Sequence, residues 1–407
     1  MASDRAPQES ANEVVDYLDW LGIDEPVDRR RFIARVGKSM LVLGAVGGLP
    51  TLLAACSSQA SAAPSAAGTA APTAAPSEPA KQYRVAFIIF INNPYWEQID
   101  KQVNKLLKAR LAAQGITVDL VNATASANAV DMSAAIDSAV AQQYDGIIVA
   151  GIAPSMEPAI KRATDKGIPV FTFCCDVPDS SRVAFYGPLN KNIGRDAATL
   201  MAQGLEKENI LSKRGLTEGV VGVQTALGFQ DLLNRADGFK EEWEKNGPKN
   251  VTLLEYFDVK DDAKLVYSMA RDAIAAYPNL VGLYGSCGSQ YALGNAIVDA
   301  DKVGQVIGIA HEVFEPTLQV MLKGGLWGVT NDAPIGQVIP PGDDMAKLLL
   351  KGEKPAQEIN DSAEAVKTYW VYASDTEWIN KELEHWDQLF NACTDGCPDL
   401  VEQEMKG

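Results

Sequence analysis

From Tyr83 onward the chain alternates short apolar runs with amphipathic stretches. Arg84–Phe90 (RVAFIIF) is β-branched and aromatic without polar alternation, which predicts a strand buried on both faces. From about Pro94 to Gln114, Ile99, Val103, Leu106, Leu107 and Leu111 fall at helical spacing. Strands over Thr117–Val121, Gly146–Ala150 and Val170–Phe173 then alternate with helices over Ala129–Gln143 and Glu157–Lys166. A second series begins near Asn190. It has helices over Ile193–Lys207, Asp231–Asn246, Ala263–Ala276 and Gln290–Ala300, and strands over Gly219–Gln224, Thr252–Phe257, Leu280–Tyr284 and Val306–Ile309. Such alternation predicts parallel sheets covered on both faces. Two series of similar size predict an α/β protein of two doubly wound parallel-sheet lobes with a cleft between them. Ligands of such sheets bind beyond the carboxyl ends of the strands. The segments to watch are Ile91–Trp96, Cys174–Asp176, Thr225–Asp231, Ser286–Ser289, Ala310–Glu312 and Thr330–Asp332.

The N-terminal pattern is that of an export address. Arg29-Arg30-Arg31-Phe32-Ile33 precedes an apolar run from Met40 to Ala55, and then comes Cys56. A basic region, an uncharged stretch and small residues make a secretory signal. Gly44, Gly47, Gly48 and Pro50 break the run, which is too short for a comfortable membrane span. The paired arginines resemble a twin-arginine (Tat) signal, with Asp28 where Ser or Thr is usual. Leu53-Ala54-Ala55-Cys56 resembles the lipobox of bacterial lipoproteins, which implies acylation of Cys56 and cleavage before it. The alternative is a plain signal anchor in which Cys56 is incidental. Residues 57–82, rich in Ala, Ser, Pro and Thr, lack the large apolar side chains needed to pack. As a flexible linker they would span on average about 25–30 Å. The expected product is a globule tethered to the outer face of the cell envelope or in the periplasm.

Composition narrows the class. The 407 residues are 47% hydrophobic and 22% charged, enough apolar content to fold into more than one domain. A formal net charge of −17 argues against a nucleic-acid partner, whose phosphates need a basic surface. The chain has 2 histidines, His311 and His385, which excludes a His-rich metal site. Its six cysteines are Cys56, Cys174, Cys175, Cys287, Cys393 and Cys397, without the paired C-x-x-C spacing of a zinc site.

The segment Val85-Ala-Phe-Ile-Ile-Phe-Ile-Asn92-Asn93-Pro94-Tyr95-Trp96 resembles the first strand and loop of ribose-type (type I) periplasmic binding proteins. Further matches follow in order. They are Tyr144-Asp-Gly-Ile-Ile-Val149, Gly167-Ile-Pro-Val-Phe-Thr-Phe173, Asn234-Arg235-Ala-Asp-Gly238-Phe239, Val306-Ile-Gly308 and Leu349-Leu-Lys-Gly-Glu-Lys354. The resemblance spans about residues 83–375. It implies an N-terminal lobe of 83–188 plus 332–359 and a C-terminal lobe of 189–331 plus 360–375. Residues 376–407 would then be a C-terminal extension. The chain would cross between lobes near Tyr186–Asn190, Asn331–Ala333 and Glu358–Asp361, and the hinge would close over a ligand touching both lobes. The implied function is capture of a small polar molecule, a sugar by analogy, for an ABC-transporter permease. The implied protein is a monomer without a cofactor. A cleft-closing protein can equally present its closed form to a membrane receptor.

The resemblance also implies contacts. Tyr95 and Trp96 match two aromatics that sandwich a sugar ring, and Asn93 matches an asparagine that hydrogen-bonds its hydroxyls. In Phe173-Cys174-Cys175-Asp176 the carboxylate many relatives place first is missing. Asp176 is left either to accept from ligand hydroxyls or to start a turn. Asp231 stands at a ligand-contacting position, or N-caps a helix. Arg235 matches a family arginine, or serves as a structural ion-pair partner. Gly288 lies in Ser286-Cys287-Gly288-Ser289, where relatives often have Asn-Asp; His311 follows Gly308, where many have Asp; and Asn331 replaces a glutamine. These departures open the way to a less hydroxylated or differently charged ligand. As neighbours on a strand, Cys174 and Cys175 should point to opposite faces, which favours thiols over a vicinal disulfide.

An enzyme is the competing class. The chain lacks G-x-S-x-G, G-x-x-x-x-G-K-[ST] and a strand-following G-x-G-x-x-G. Cys287 with His311 is the one conceivable hydrolase pair, and no triad or cofactor motif is complete.

Mature protein extracted from membranes should begin at Cys56 and carry acyl mass there. Cys393 and Cys397 flank the turn-forming Thr-Asp-Gly and should form a disulfide. Intact mass and a non-reducing peptide map check both. Retention of residues 1–55, or free thiols at Cys393 and Cys397, would refute the respective expectation.

Overall fold

The computed structural model describes residues 81–91, 93–124, 128–332, 334–359 and 369–387. The export segment with Cys56, the linker through residue 80, and Cys393 and Cys397 lie outside the described residues. Among the described residues no helix is long and apolar enough to cross a membrane.

The first sheet contains β1 (Tyr83–Ile89), β2 (Ile116–Asn122), β3 (Gly146–Ala150), β4 (Val170–Phe173) and β5 (Ala184–Tyr186). A late strand, β12 (Glu358–Ile359), joins at the edge to give the order β12-β5-β4-β3-β1-β2, parallel throughout. Val85, Phe87 and Ile89 face one way and Ala86 and Ile88 the other, yet all have 0% exposure. That is why the run shows no polar alternation. Helix α1 (Pro94–Gln102) continues through a π-helical turn, Val103–Leu107, into α2 (Lys108–Ala112). Helices α3 (Ala129–Ala141) and α4 (Glu157–Asp165) complete the cover of this series.

The chain leaves the first sheet after Tyr186 and enters α5 (Asn190–Lys207), followed by the short α6 (Ile210–Lys213). The second sheet follows the order β13-β11-β10-β9-β6-β7. Its strands are β6 (Gly219–Thr225), β7 (Val251–Leu253), β9 (Leu280–Gly285), β10 (Ile307–His311), β11 (Gly328–Asn331) and β13 (Tyr369–Tyr372). β13 is antiparallel to β11, and β8 (Phe257–Asp258) pairs separately with β6. The connecting helices are α7 (Gln230–Asn246), α8 (Ala263–Ala276), α9 (Tyr291–Asp299) and α10 (Glu315–Leu322). After β11 the chain returns to the first core through α11 (Ile339–Lys351), where Ile339, Met345 and Ala346 are buried.

Two expectations are corrected. The strand read over Thr252–Phe257 is two strands. β7 pairs with Gly219–Val221 and β8 with Gln224–Thr225, so the chain steps along β6 between them. The extension read from residue 376 begins inside the second lobe. Helix α12 (Thr376–Asp387) buries Ile379 in its core and packs Trp378 and Leu383 against it, an apolar face at helical spacing.

One helix contact positions the later chemistry. α5 and α7 touch backbone to backbone. A Cβ at Gly194 would collide with the Arg235 carbonyl, and one at Gly238 with the Lys191 carbonyl. A methyl group there has only main chain to push against, so the helices must separate. We expect Gly238→Ala to lower stability by about 1–3 kcal/mol, read as a lower denaturation midpoint at unchanged slope. Wild-type stability in that variant would show that the helices do not pack this closely in solution.

Candidate ligand-binding cleft

The carboxyl ends of the two sheets face each other, and their side chains meet. Asn93 begins as a helix cap: its Oδ1 accepts from the Tyr95 and Trp96 amides at 3.0 and 3.4 Å, which starts α1. That geometry sends Nδ2 across the cleft, where it donates to Asp261 Oδ2 at 2.5 Å. Asp261 Oδ1 accepts from Ser289 Oγ at 3.0 Å. From the second crossing, Gln337 accepts from the Tyr95 hydroxyl at 3.4 Å and donates to the Asp332 carbonyl at 2.7 Å. The cleft is closed.

At its centre lies Arg235, 2% exposed. Nε donates to Asn190 Oδ1 at 2.7 Å, one terminal nitrogen to the Ser286 carbonyl at 3.2 Å, and the other to Asp332 Oδ2 at 3.2 Å. Glu312 Oε1 stands 3.7 Å away. Both readings of Arg235 are thus present at once: it is an ion-pair partner, and it sits in the cleft. Its carboxylate partners raise its pKa against the opposing pull of burial. His311 follows β10 into the same cluster. Nδ1 contacts Thr330 Oγ1 at 2.9 Å, and Nε2 lies 3.6 Å from Asp332. Burial and Arg235 lower its pKa to about 4, so the ring is neutral at pH 7.

The carboxylates feel the closed cleft. Burial, then Asp332 and Asp261, push Glu312 well above the usual carboxylate range. Burial pushes Asp261 up to about 6, and burial likewise pushes Asp231 up to about 6. Asp332 goes the other way: burial would raise it, but His311 and Arg235 hold it below its ordinary value. Glu312 Oε2, Asp332 Oδ1 and His311 Nε2 are buried without a hydrogen-bond partner. Groups of this kind await a ligand's donors and acceptors. His311, Glu312 and Asp332 also bring ligating atoms within 4.8 Å of one another, but Arg235 already supplies positive charge there.

Several predicted contacts find other partners. Asp176 is held bidentately by Arg182 at 2.5 and 2.6 Å and accepts from Thr172 Oγ1 at 2.7 Å, so its carboxylate is taken. Asp231 is not an N-cap: α7 starts at Gln230 after Phe229, which places Asp231 in the first turn. Asn331 Oδ1 accepts from the Val313 amide at 3.0 Å and braces a loop. Trp96 packs on Phe90 and Phe173, with ring centroids 4.1 and 6.1 Å away, while Tyr95 faces the acidic cluster. Gly288 borders the cleft, and a Cβ there would lie 2.7 Å from Glu312 Oε2 and 3.0 Å from Asn93 Nδ2.

Cys174 and Cys175 are free thiols, as expected, but their orientation is not the expected one. β4 ends at Phe173, Cys174 turns left-handed at φ 61°, and the Cys175 amide donates to the Phe173 carbonyl at 2.6 Å. The two sulfurs therefore converge to 3.7 Å instead of pointing apart, and both are free thiols. Cys287 is free and fully buried in the second core, where burial pushes its thiol well above the ordinary range. A neutral thiol is a poor nucleophile, and His311 is engaged by Thr330, so the hydrolase pair has no support.

Asp261, Glu312, Asp332, Ser289 and Gln337 were not among the sequence-derived contacts. Glu312 and Asp332 fall in the strand-end segments the topology marks. Asp261 follows β8, and the segment after that strand was not among those marked.

The periplasmic binding protein domain family matches residues 86–354, and the chain belongs to it. Solved structures agree on the fold. A glucose-galactose binding protein from Geobacillus stearothermophilus superposes with a TM-score of 0.61 at 20% identity, covering 72% of this chain and 99% of that one. An ABC transporter solute-binding protein from Burkholderia graminis, in complex with D-arabinose, gives 0.64 at 22%, covering 74% and 98%. Another from Agrobacterium vitis, with bound D-fucose, gives 0.61 at 21%, covering 72% and 96%. A search of curated proteins found no significant sequence match.

The raised pKa of Asp261 makes closure pH-dependent. Its carboxyl ionises near 3.9 when exposed and near 6 in the closed cleft. The closed form is therefore favoured at low pH, and that advantage is lost as pH rises through about 6, by up to about 3 kcal/mol. Ligand-free protein should open between about pH 4 and 6.5, seen as a larger radius of gyration by X-ray scattering. Asp261→Asn should reduce this dependence, leaving the part owed to Asp231 and Glu312, and identical profiles for the two proteins would refute the assignment.

Proposed function

We propose that this protein is an exported, lipid-anchored solute-binding protein that captures a sugar and hands it to an ABC importer. The observation that carries the reading is the cleft. Two lobes of this family close over a buried row of hydrogen-bonding groups: Asn93, Arg235, Asp261, His311, Glu312 and Asp332. Planar polar groups of this kind suit ring hydroxyls, and aromatic side chains beside them suit C–H faces. Tyr95 stands at that boundary. Similar folds have been solved with D-arabinose and D-fucose bound, which supports the ligand class. Closure by the ligand would create the surface a permease reads, since a ligand touching both lobes favours the closed state. The twin-arginine signal and Cys56 lipobox supply the export route and the anchor.

Tyr95 is the aromatic of the pair that faces the polar row, whereas Trp96 is 4% exposed and packed into the first core. Tyr95→Leu removes that ring face and keeps an apolar side chain. We expect it to weaken binding of the sugar that co-purifies with the protein, identified by mass spectrometry, by about 1 kcal/mol in calorimetry. A co-purified ligand that is not a carbohydrate, or unchanged affinity in the variant, would count against the reading.

A further inference from the structure

The cleft is short of positive charge. Asp231, Asp261, Glu312 and Asp332 converge on it, and the cation they share is Arg235. Asp176 does not enter this balance, because Arg182 neutralises it. His311 is neutral at pH 7 and adds none.

Arg235 is itself largely committed. Its three nitrogens go to Asn190, the Ser286 carbonyl and Asp332, leaving a longer 3.7 Å approach to Glu312 Oε1. The other oxygen of Glu312, Oε2, is buried and has no partner. It lies tight against Gly288: a Cβ there would stand 2.7 Å from Oε2 and 3.0 Å from Asn93 Nδ2, closer than packing allows, so glycine is what lets this oxygen sit there. Asn93 Nδ2 donates to Asp261 on the same side. Glu312 is held in this position at φ 74°, and Asp261 at φ 53°, a left-handed backbone that costs a non-glycine residue free energy. A neutral sugar can donate hydroxyls to these oxygens, but only a cation also favours their ionised form in a closed site.

We propose that the ligand is a cationic sugar, a protonated amino sugar or aminated polyol, whose ammonium group pairs with the unpartnered Oε2 of Glu312 as the cleft closes on it. The inference rests on the sugar-capture reading and adds the charge. An ammonium group supplies three donors and one positive charge on an aliphatic carbon, which answers both the unpartnered oxygen and the excess of carboxylates.

The test is calorimetric titration of the whole mature protein at pH 6.8 with matched sets: glucosamine, galactosamine and mannosamine, their neutral parent sugars, and their N-acetyl forms. The N-acetyl forms keep the nitrogen and remove its charge. One amine should bind at least 10-fold more tightly than both of its uncharged counterparts. Glu312→Gln should reduce that advantage to less than threefold, with thermal melting confirming the fold. Asp261→Asn gives a second reading, with a smaller loss, should Glu312→Gln fail to fold. A neutral or N-acetyl sugar binding as tightly as its amine would overturn the charge inference and leave the sugar reading standing. Binding of no member of the panel would overturn both.

Discussion

The buried guanidinium of Arg235 is the interaction on which the rest of the cleft depends. It reaches Asn190, where the chain has just entered the second lobe, and Asp332, where it has just begun to leave. One side chain thus ties together two of the crossings about which the lobes turn. Removing it would strand two buried carboxylates, a change of the kind that costs about 3–5 kcal/mol. Its own position is set by the glycine contact between α5 and α7, because Gly194 lies directly against the Arg235 carbonyl. Packing of two helices, with no ligand chemistry of its own, determines where the charge of the site stands.

Backbone strain gathers at the same place. Cys174, Lys260, Asp261 and Glu312 all take left-handed φ values, and Cys174, Asp261 and Glu312 carry side chains into the cleft. Each such residue costs about 1–3 kcal/mol, sustained by the surrounding packing. The strain aims short side chains across the gap: Asp261 meets Asn93, and the two cysteine sulfurs converge beside Tyr95 and Asp231. Closure without a ligand then brings carboxylates together in a poorly solvated space, which raises Asp231, Asp261 and Glu312. In the proposed reading a bound ligand would relieve that cost by supplying partners, and this difference between empty and filled cleft would favour closure.

Much of the fold was legible along the chain. Strands such as Val85–Ile89 are apolar on both faces because helices cover both, and this leaves a continuous hydrophobic run that local reading detects. Helices α8 and α4 begin at Ala263 and Glu157, where the sequence places them, because amphipathicity is a local property; at α8 the Asp262 side chain also caps the first turn. The sequence by itself also determined which loops could face a ligand, since the carboxyl ends of parallel strands follow from element order. It went astray where the outcome depended on a distant partner. The Thr252–Phe257 run breaks in two because β6 accepts it at two separate places. The residues after 375 join the second core because β13 and α12 find an open flank of β11 and α10.

The site divides along the same line. Asn93 and His311 were identifiable at strand ends and Arg235 from the family resemblance of Asn234–Phe239, and all three occupy the cleft. Which of the acidic residues act there was decided by tertiary structure alone. Asp176 is taken by Arg182 six residues on, whereas Asp261 reaches Asn93 across the cleft and Glu312 and Asp332 each keep a buried oxygen without a partner. A carboxylate is only as available as its neighbours leave it, and in this protein those neighbours come from separate strands, both lobes and the crossings between them. Local pattern carries secondary structure because hydrogen bonds along the backbone are local. The charge balance of a closed cleft is a sum over residues far apart in sequence, and only the folded chain performs it.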